Sequence, residues 1–201
     1  MTVHSLRYSY GPIFKVIDLI EQQNSRADEI VQKVRTYRKG KPTRDKEIDL
    51  SLILKKAADT ITLSNEAAAT KLVCSVKEGV KVKGDPLEIE LLVVNLIKNA
   101  LEAVEGKEAG KVQVDLKTEG SVNQIIVSDN GDIQCEDDLK RLTGSFETTK
   151  KDGLGIGLSI VRGIAERHRG RIEFKVRNPH GLRVIVNIPK ENENEEKNPR
   201  C

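Results

Sequence analysis

The fold is decided by a glycine-rich stretch that opens a helix, Gly153-Leu154-Gly155-Ile156-Gly157-Leu158. Its glycines let backbone N–H groups approach a phosphate, and the N-terminus of the following helix adds a favourable dipole. Upstream of it, an apolar-periodic helix contains Asn95-Leu96-Ile97-Lys98-Asn99-Ala100, and an apolar strand ends in Val127-Ser128-Asp129-Asn130-Gly131. In this order the three pieces predict a site for a purine nucleotide and Mg²⁺.

The predicted helix 86–105 carries two asparagines outside its apolar stripe. Asn95 and Asn99 are one turn apart and point away from the stripe. Two amides at this spacing offer carbonyl oxygens to a hard cation or its waters, and NH₂ groups to phosphate. A solvated polar face is the alternative for this feature alone. The stripe itself is the predicted core, and it contains Ile89, Leu92, Val93, Leu96, Ile97, Ala100, Leu101 and Val104.

Asp129 ends an apolar strand and enters an Asn-Gly turn. A carboxylate at this point can accept a hydrogen bond from the exocyclic amine of adenine, which would select adenine over guanine. An ordinary Asx turn is the alternative.

Two other nucleotide motifs are excluded. A dinucleotide fingerprint needs its glycines directly after a strand, whereas the polar residues 148–152 precede Gly153. The nearest approach to a P-loop, Gly106 to Val112, is one residue short and lacks the hydroxyl that holds Mg²⁺.

The composition excludes several partner classes. Of the 201 residues, 32% are charged with nearly balanced signs and only 3% are aromatic, which argues against nucleic acid. The three cysteines lie far apart without a C-x-x-C pair, so neither a zinc site nor a disulfide framework is predicted, and Cys74 is expected to fill the core. The chain has no apolar run of about 18 residues and no apolar signal core, which predicts no membrane segment and a cytoplasmic location.

The periodicity predicts three parts, residues 1–42, 46–190 and 191–201. In the first part, residues 13–39 are predicted to form one long helix, which Gly40 and Pro42 end. Its apolar stripe needs a partner, either a dimeric bundle, and thus a homodimer through 13–39, or the flank of the domain. The acidic part 191–201 is predicted to be a disordered tail.

Residues 46–190 alternate between strands and helices. Ser51 is the predicted N-cap of the first helix. Helices are predicted at 51–65, 86–105, 136–142 and 155–168, and strands at 71–76, 80–83, 112–116, 124–127, 171–177 and 182–188. The order indicates an α/β (α+β) two-layer sandwich in which helices cover a mixed β-sheet.

Together these motifs resemble the catalytic and ATP-binding domain of sensor histidine kinases. That family shares the GHKL (Bergerat) ATPase fold with DNA gyrase, mismatch-repair and heat-shock-chaperone ATPases. Residues 95–100 resemble its N box, 129–131 its first glycine box, 146–150 its F box and lid, and 153–158 its second glycine box. The helix carrying residues 25–31 is similar to the second helix of the family's dimerisation hairpin.

The resemblance implies a role for each site residue. Asn99 would ligate Mg²⁺, and Asn95 and Lys150 would be the catalytic residues. ATP would be bound by Asn95, Lys98, Asn99, Glu102, Asp129, Gly131, by the lid residues Thr148, Thr149 and Lys150, and by the phosphate loop Gly153, Leu154, Gly155, Ile156, Gly157 and Leu158.

Asn95 also separates the subfamilies. The ATP-hydrolysing relatives place a glutamate at this position as a general base, and an asparagine cannot abstract a proton. Phosphoryl transfer to a histidine needs no such base, because neutral imidazole is already a nucleophile, and catalysis then depends on positioning and charge neutralisation. Asn95 therefore favours a histidine kinase over an ATPase.

Two features depart from the family pattern. Ile133 stands where the first glycine box usually has a second glycine. The family's acceptor histidine is followed by an acidic residue and, five positions on, by proline, whereas Ser5 follows His4. His168 is expected to be structural, and His180 is expected in a surface turn.

Three hypotheses follow. In the first, the chain is the C-terminal part of a histidine kinase that phosphorylates a histidine on a separate helix, for relay to a response regulator. In the second, it is a non-catalytic nucleotide-binding module that pairs with a kinase as a regulator or decoy. In the third, which Asn95 disfavours, it is a GHKL ATPase.

Overall fold

The computed structural model describes residues 46–144 and 156–190, all within one compact unit that begins at Pro42. The predicted helix 13–39, the lid residues, the first part of the glycine-rich loop and the tail lie outside the described residues. The helices are α1 (Leu50–Ser64), α2 (Glu66–Lys71), α3 (Pro86–Ala103), α4 (Glu136–Gly144) and α5 (Ile156–Arg167). The strands are β1 (Glu47–Asp49), β2 (Leu72–Val76), β3 (Lys81–Lys83), β4 (Val112–Glu119), β5 (Val122–Asp129), β6 (Arg171–Val176) and β7 (Leu182–Pro189).

The main sheet has five strands in the order β2-β4-β5-β7-β6. β2 runs parallel to β4, and the other neighbouring pairs are antiparallel. β1 and β3 form a separate antiparallel pair. The predicted mixed sheet is therefore confirmed, although β1 and α2 were not predicted because such short elements leave little periodicity to detect.

One face of the sheet and the helices α1, α3 and α5 enclose the core. Val114, Val127 and Val184 are neighbours across β4, β5 and β7, and all three are buried. The apolar stripe predicted for α3 is confirmed: seven of its eight residues are buried, and Leu101 packs partly buried against them. Burying each such side chain stabilises the fold by about 1.5–3 kcal/mol.

The N-cap predicted for α1 was wrong by two residues. Asp49 is the cap, and its Oδ1 accepts hydrogen bonds from the backbone N–H groups of Ser51 (2.8 Å) and Leu52 (3.2 Å). Ser51 is instead fully buried: its Oγ donates to the Lys77 carbonyl oxygen (2.9 Å) and accepts from the Val80 N–H (3.1 Å). The inward-facing serine hydroxyl therefore connects α1 to the β2–β3 turn. The Asp49 carboxylate, two residues earlier, caps the helix instead.

The prediction that Cys74 fills the core was also wrong, since its side chain is exposed. β2 is an edge strand, and the neighbouring Val73 is 59% exposed. Only Leu72 and Val76, at the two ends of this strand, pack against the core. An apolar run in an edge strand does not reveal how much of it the helices cover.

No helix in the described ranges is long and apolar enough to cross a membrane.

Candidate nucleotide-binding site

The start of α5 lies directly against the two asparagines of α3. A Cβ atom added to Gly157 would lie 3.3 Å from Asn99 Nδ2, 3.4 Å from Asn99 Oδ1 and 3.4 Å from Asn95 Oδ1. The fold therefore brings together one residue of the glycine-rich loop and both amides of α3. Because the first turn of a helix carries N–H groups without intrahelical partners, this juxtaposition puts backbone donors beside amide oxygens.

Asn95 is oriented by its own helix. Its Nδ2 donates to the carbonyl oxygen of Leu91, one turn earlier, at 2.7 Å. This bond directs Asn95 Oδ1 toward Gly157, at the distance given above. Both asparagines are half-buried, so their polar groups are neither in the core nor fully solvated.

The other predicted residues of α3 and α5 lie around this point. Lys98 and Glu102 are exposed on α3, and Leu158 is half-buried in the first turn of α5. Ile156 is the first residue of α5. The remaining predicted residues, Thr148, Thr149, Lys150, Gly153, Leu154 and Gly155, lie outside the described residues.

Asp129 ends β5 as a buried carboxyl group, with 4% of its surface exposed. Its Oδ1 accepts hydrogen bonds from the N–H groups of Gly131 (2.8 Å) and Leu182 (3.2 Å). The Asx turn that the sequence left open as an alternative is therefore present. Both bonds use Oδ1, and Oδ2 accepts none from the residues that the structure describes.

Burial raises the pKa of the Asp129 carboxyl above its ordinary value of 3.8. The two backbone hydrogen bonds and the charges of Arg177 and Lys107 act in the opposite direction, but desolvation is the larger effect. A carboxylate kept in this environment costs free energy that a bound hydrogen-bond donor would offset. A perturbed pKa of this kind is common at functional sites.

Two glycines allow the chain to close around Asp129. A Cβ on Gly131 would lie 2.8 Å from Asp129 Oδ1 and 3.0 Å from the Ala103 Cβ. Gly181 has φ +109°, and a Cβ there would lie 2.1 Å from the Asp129 carbonyl oxygen. Sequence reasoning missed Gly181 and Leu182 as neighbours of the site, because the turn signal at 178–181 does not reveal what the turn packs against.

The loop after Asp129 is held by backbone contacts to the same turn. The N–H of Gly181 donates to the Ile133 carbonyl oxygen at 2.7 Å. His180 lies in this turn, as predicted, but it is half-buried rather than exposed, because its Nδ1 lies 2.9 Å from the Gly131 carbonyl oxygen. A side chain at 133 is compatible with these contacts, since they use only its backbone.

His168 has a structural role, as expected, because both of its ring nitrogens contact backbone groups. Its ring is buried, Nδ1 lies 2.9 Å from the Ile164 carbonyl oxygen and Nε2 accepts from the Asp85 N–H at 3.1 Å. These bonds join the end of α5 to the N-cap of α3.

A divalent cation at this site would depend on amide oxygens and on the phosphates of a ligand. Within the described part of the chain, no group of three His, Cys, Asp or Glu side chains could hold a metal ion. Mg²⁺ commonly uses one or two protein oxygens together with substrate phosphates and water, and Asn99 is suited to such a site.

Residues 84–192 match the family described as histidine kinase-, DNA gyrase B-, and HSP90-like ATPase. The chain belongs to this family. The match covers more than half of the chain and includes α3, Asp129 and α5.

Sensor histidine kinases are among the relatives of this ATPase domain. This chain is 32% identical over 177 residues to the sensor histidine kinase TmoS of Ectopseudomonas mendocina. The alignment covers 85% of this chain and 18% of the relative. It is 36% identical over 104 residues to a putative sensor histidine kinase NtrY-like protein of Rickettsia conorii, covering 52% of this chain and 17% of the relative. The chain thus spans less than a fifth of the length of these curated relatives.

A solved structure supports the same assignment. The catalytic domain of histidine kinase ThkA, in a nucleotide-free form, is 27% identical and superposes with a TM-score of 0.61, covering 72% of this chain and 95% of that chain. The predicted family and the two-layer fold are therefore confirmed. The chain carries a histidine kinase-type ATPase domain, which favours the first hypothesis over a non-catalytic module.

Proposed function

We propose that this chain binds Mg-ATP and transfers its γ-phosphoryl group to a histidine on a separate helix, for relay to a response regulator. Membership of the histidine kinase-type ATPase family and the relationship to sensor kinases support this activity. The acceptor histidine belongs to another segment or chain, since His4 lacks the expected sequence and His168 is buried in a structural role.

The contact between Gly157 and the asparagine pair carries the proposal. A phosphate chain beside Gly157 would receive backbone N–H groups from the first turn of α5 and would lie within reach of Asn95 and Asn99. In this proposal, the loop residues Gly153 to Leu158 cradle the phosphates, and Thr148, Thr149 and Lys150 form the lid.

Asp129 would select the base. Oδ1 is used by Gly131 and Leu182, which leaves Oδ2 to accept a hydrogen bond from the exocyclic amine of adenine. Guanine carries a carbonyl oxygen at that position, and two acceptors would face each other. The site therefore discriminates against guanine, because bound guanine would leave the buried carboxylate without a hydrogen-bond donor.

Asn99 would hold Mg²⁺ through its amide oxygen, and the cation would neutralise charge on the phosphates. Asn95 would support the same group through Oδ1, because its Nδ2 already donates to Leu91. Lys98 and Glu102 would lie at the rim of the site.

The transfer step needs positioning more than proton chemistry. The unprotonated imidazole nitrogen of the acceptor forms the N–P bond as the bond between the γ-phosphorus and its bridging oxygen breaks, and ADP leaves with the electron pair. Because that nitrogen carries no proton, no general base is required, and Asn95 is compatible with this step. Lys150 would stabilise the charge of the phosphoryl group from the lid.

The partners follow from this chemistry. The histidine-bearing helix would pack against residues 13–39, in a homodimer or with another kinase chain, and a response regulator would take the phosphoryl group from the histidine. Since ATP is the donor, we place the activity in the cytoplasm.

A titration tests the nucleotide site directly. Purified chain is titrated calorimetrically with a non-hydrolysable ATP analogue and Mg²⁺, together with Asp129→Asn and Asn99→Ala. We expect each variant to weaken binding by about 10- to 100-fold, as expected for the loss of one hydrogen bond to a charged group.

A matched control is Asp115→Asn. Asp115 is a buried carboxylate on the neighbouring strand β4, bonded to Gln113 Nε2 at 3.0 Å. This variant should bind the analogue normally. If the unaltered chain does not bind the analogue, the proposed function is wrong and a regulatory module becomes the better account.

A further inference from the structure

A cleft of about 390 Å³ lies at the end of the sheet opposite to Asp129. It is lined by the β2–β3 turn, by β3, and by polar residues that include Thr118, Asn123 and Lys190. Asn123 is the second residue of β5 and Asp129 its last, so the two sites are about 20 Å apart along this strand. The cleft is therefore separate from the candidate nucleotide site.

The sheet register brings its polar side chains to one place. Asn123 pairs with Thr118 on β4 and with Ile188 on β7. The Lys190 N–H donates to the Ser121 carbonyl oxygen (2.9 Å), and the Lys77 N–H donates to the Leu116 carbonyl oxygen (3.2 Å). Lysines from two distant parts of the sequence thus line the same cleft as Asn123.

The lysines of this cleft are only partly neutralised. Lys81 pairs with Glu47 at 2.7 Å, and Glu78 pairs with Lys55 outside the cleft. Lys77 forms no ion pair with any residue that the structure describes. Lys190 donates to the Gly120 carbonyl oxygen at 2.7 Å and has no carboxylate partner within the same ranges. The lining has three lysines and two glutamates, so the cleft carries a net charge of +1, and Lys77 and Lys190 are its lysines without a carboxylate partner in the described ranges.

Asn123 supplies an unused donor in the same cleft. Its side chain is only 2% exposed, and its Oδ1 accepts from Thr118 Oγ1 at 3.0 Å. Its Nδ2 donates to no atom among residues 46–144 and 156–190. Asn123 lines the cleft, so a ligand oxygen bound there can accept a hydrogen bond from this amide.

We propose that this cleft binds an oxyanion, a phosphate or carboxylate group, which Lys77 and Lys190 pair with and to which Asn123 Nδ2 donates. Two sources carry this chemistry: a free phosphate ion, and the carboxylates of an acidic segment. Such a segment follows Lys190 directly, since residues 191–196 contain four glutamates. The site is independent of the proposed kinase activity.

The test follows the Asn123 side-chain amide by NMR in the ¹⁵N-labelled chain, titrated with inorganic phosphate at low ionic strength. The signal is assigned by its loss in Asn123→Asp. Charge-assisted hydrogen bonds in an open cleft support a dissociation constant on the order of 1 mM. Lys77→Gln should weaken binding about tenfold. Lys117→Gln, an exposed lysine outside the cleft, should leave it unchanged.

A chain in which the four glutamates of residues 191–196 are replaced by glutamine separates the two sources. If the glutamates of the tail occupy the cleft, their replacement tightens phosphate binding several-fold. If the ligand is a free ion, the affinity stays the same, and either result supports an oxyanion site. The proposal is overturned if the Asn123 amide does not respond in either chain, or if Lys77→Gln binds phosphate as well as the unaltered chain. Signals of Asn95 and Asn99 report separately on phosphate at the nucleotide site.

Discussion

Gly157 lies so close to Asn99 that a methyl group at position 157 would be 3.3 Å from the Asn99 amide nitrogen and 3.4 Å from its amide oxygen. Glycine is needed here for space, since the residue is helical and needs no positive φ. Through this contact, α5 and α3 form two sides of one site. The contact can be tested without substituting a polar residue.

Gly157→Ala should weaken binding of the ATP analogue about tenfold, because the methyl group displaces the two amides by a few tenths of an ångström. Alanine favours a helix over glycine by about 1 kcal/mol, so thermal stability should not fall in parallel. Calorimetric titration and thermal melting on the same samples measure both effects.

Gly163→Ala is the matched control on the same helix. Its Cβ would meet only the flexible end of Arg167, at 3.3 Å. This variant should keep nucleotide affinity and gain stability. Equal losses of affinity in the two variants would contradict a specific role for the contact at Gly157.

Asp129→Asn should stabilise the ligand-free domain while weakening nucleotide binding. The asparagine Oδ1 can still accept from Gly131 and Leu182, and the buried charge is removed. Its NH₂ group would face the adenine amine as a second donor. Relative to the unaltered chain, the melting temperature of the variant should therefore rise without the ATP analogue and fall in its presence. A fall under both conditions would mean that the carboxylate is chiefly structural.

Ionisation of Asp129 should make both the stability of the domain and its nucleotide affinity depend on pH, in opposite directions. Because burial raises the pKa of Asp129 in the folded state above 3.8, the folded state holds this proton more tightly than the unfolded chain. The ionised group therefore opposes folding, and its cost is absent below the ordinary pKa and complete above the raised one. Nucleotide affinity should change in the other direction, falling as the pH decreases through the raised pKa and the carboxylate is lost. Comparing each pH profile with that of Asp129→Asn isolates this group, and identical profiles would refute the assignment.

Gly181→Ala should destabilise the domain by at least about 2 kcal/mol, since it combines an unfavourable φ with a backbone collision against Asp129. Gly120→Ala shares a positive φ, but a Cβ there meets nothing within 4 Å, so it should cost less. Urea denaturation of both variants separates the collision from the strain, and equal losses would exclude the collision.

Ser51→Ala should cost about 1–3 kcal/mol, because it leaves the Lys77 carbonyl oxygen and the Val80 N–H without their partner in a buried place. Asp49→Ala, which removes the true N-cap of α1, should cost about 1 kcal/mol. Urea denaturation ranks the two. A larger loss for Asp49→Ala would show that water replaces the serine hydroxyl.

By itself, the sequence determined the local features of this protein. The apolar spacing of α3 set which residues enter the core, and it left Asn95 and Asn99 together on another face, because helical geometry depends only on neighbours along the chain. In the same way, the strand that ends at Asp129 was predictable from its own residues, and the motifs in their order were enough to indicate the family.

Tertiary structure alone decided how these features meet. The contact of Gly157 with Asn99, the N–H of Leu182 on Asp129, and the group of Lys77, Lys190 and Asn123 each join distant parts of the chain. Strand order and register set these distances, and a one-dimensional pattern of apolar and polar residues does not encode them. For the same reason the true cap of α1 and the exposure of Cys74 were missed, since each depends on what packs against a segment and not on the segment itself.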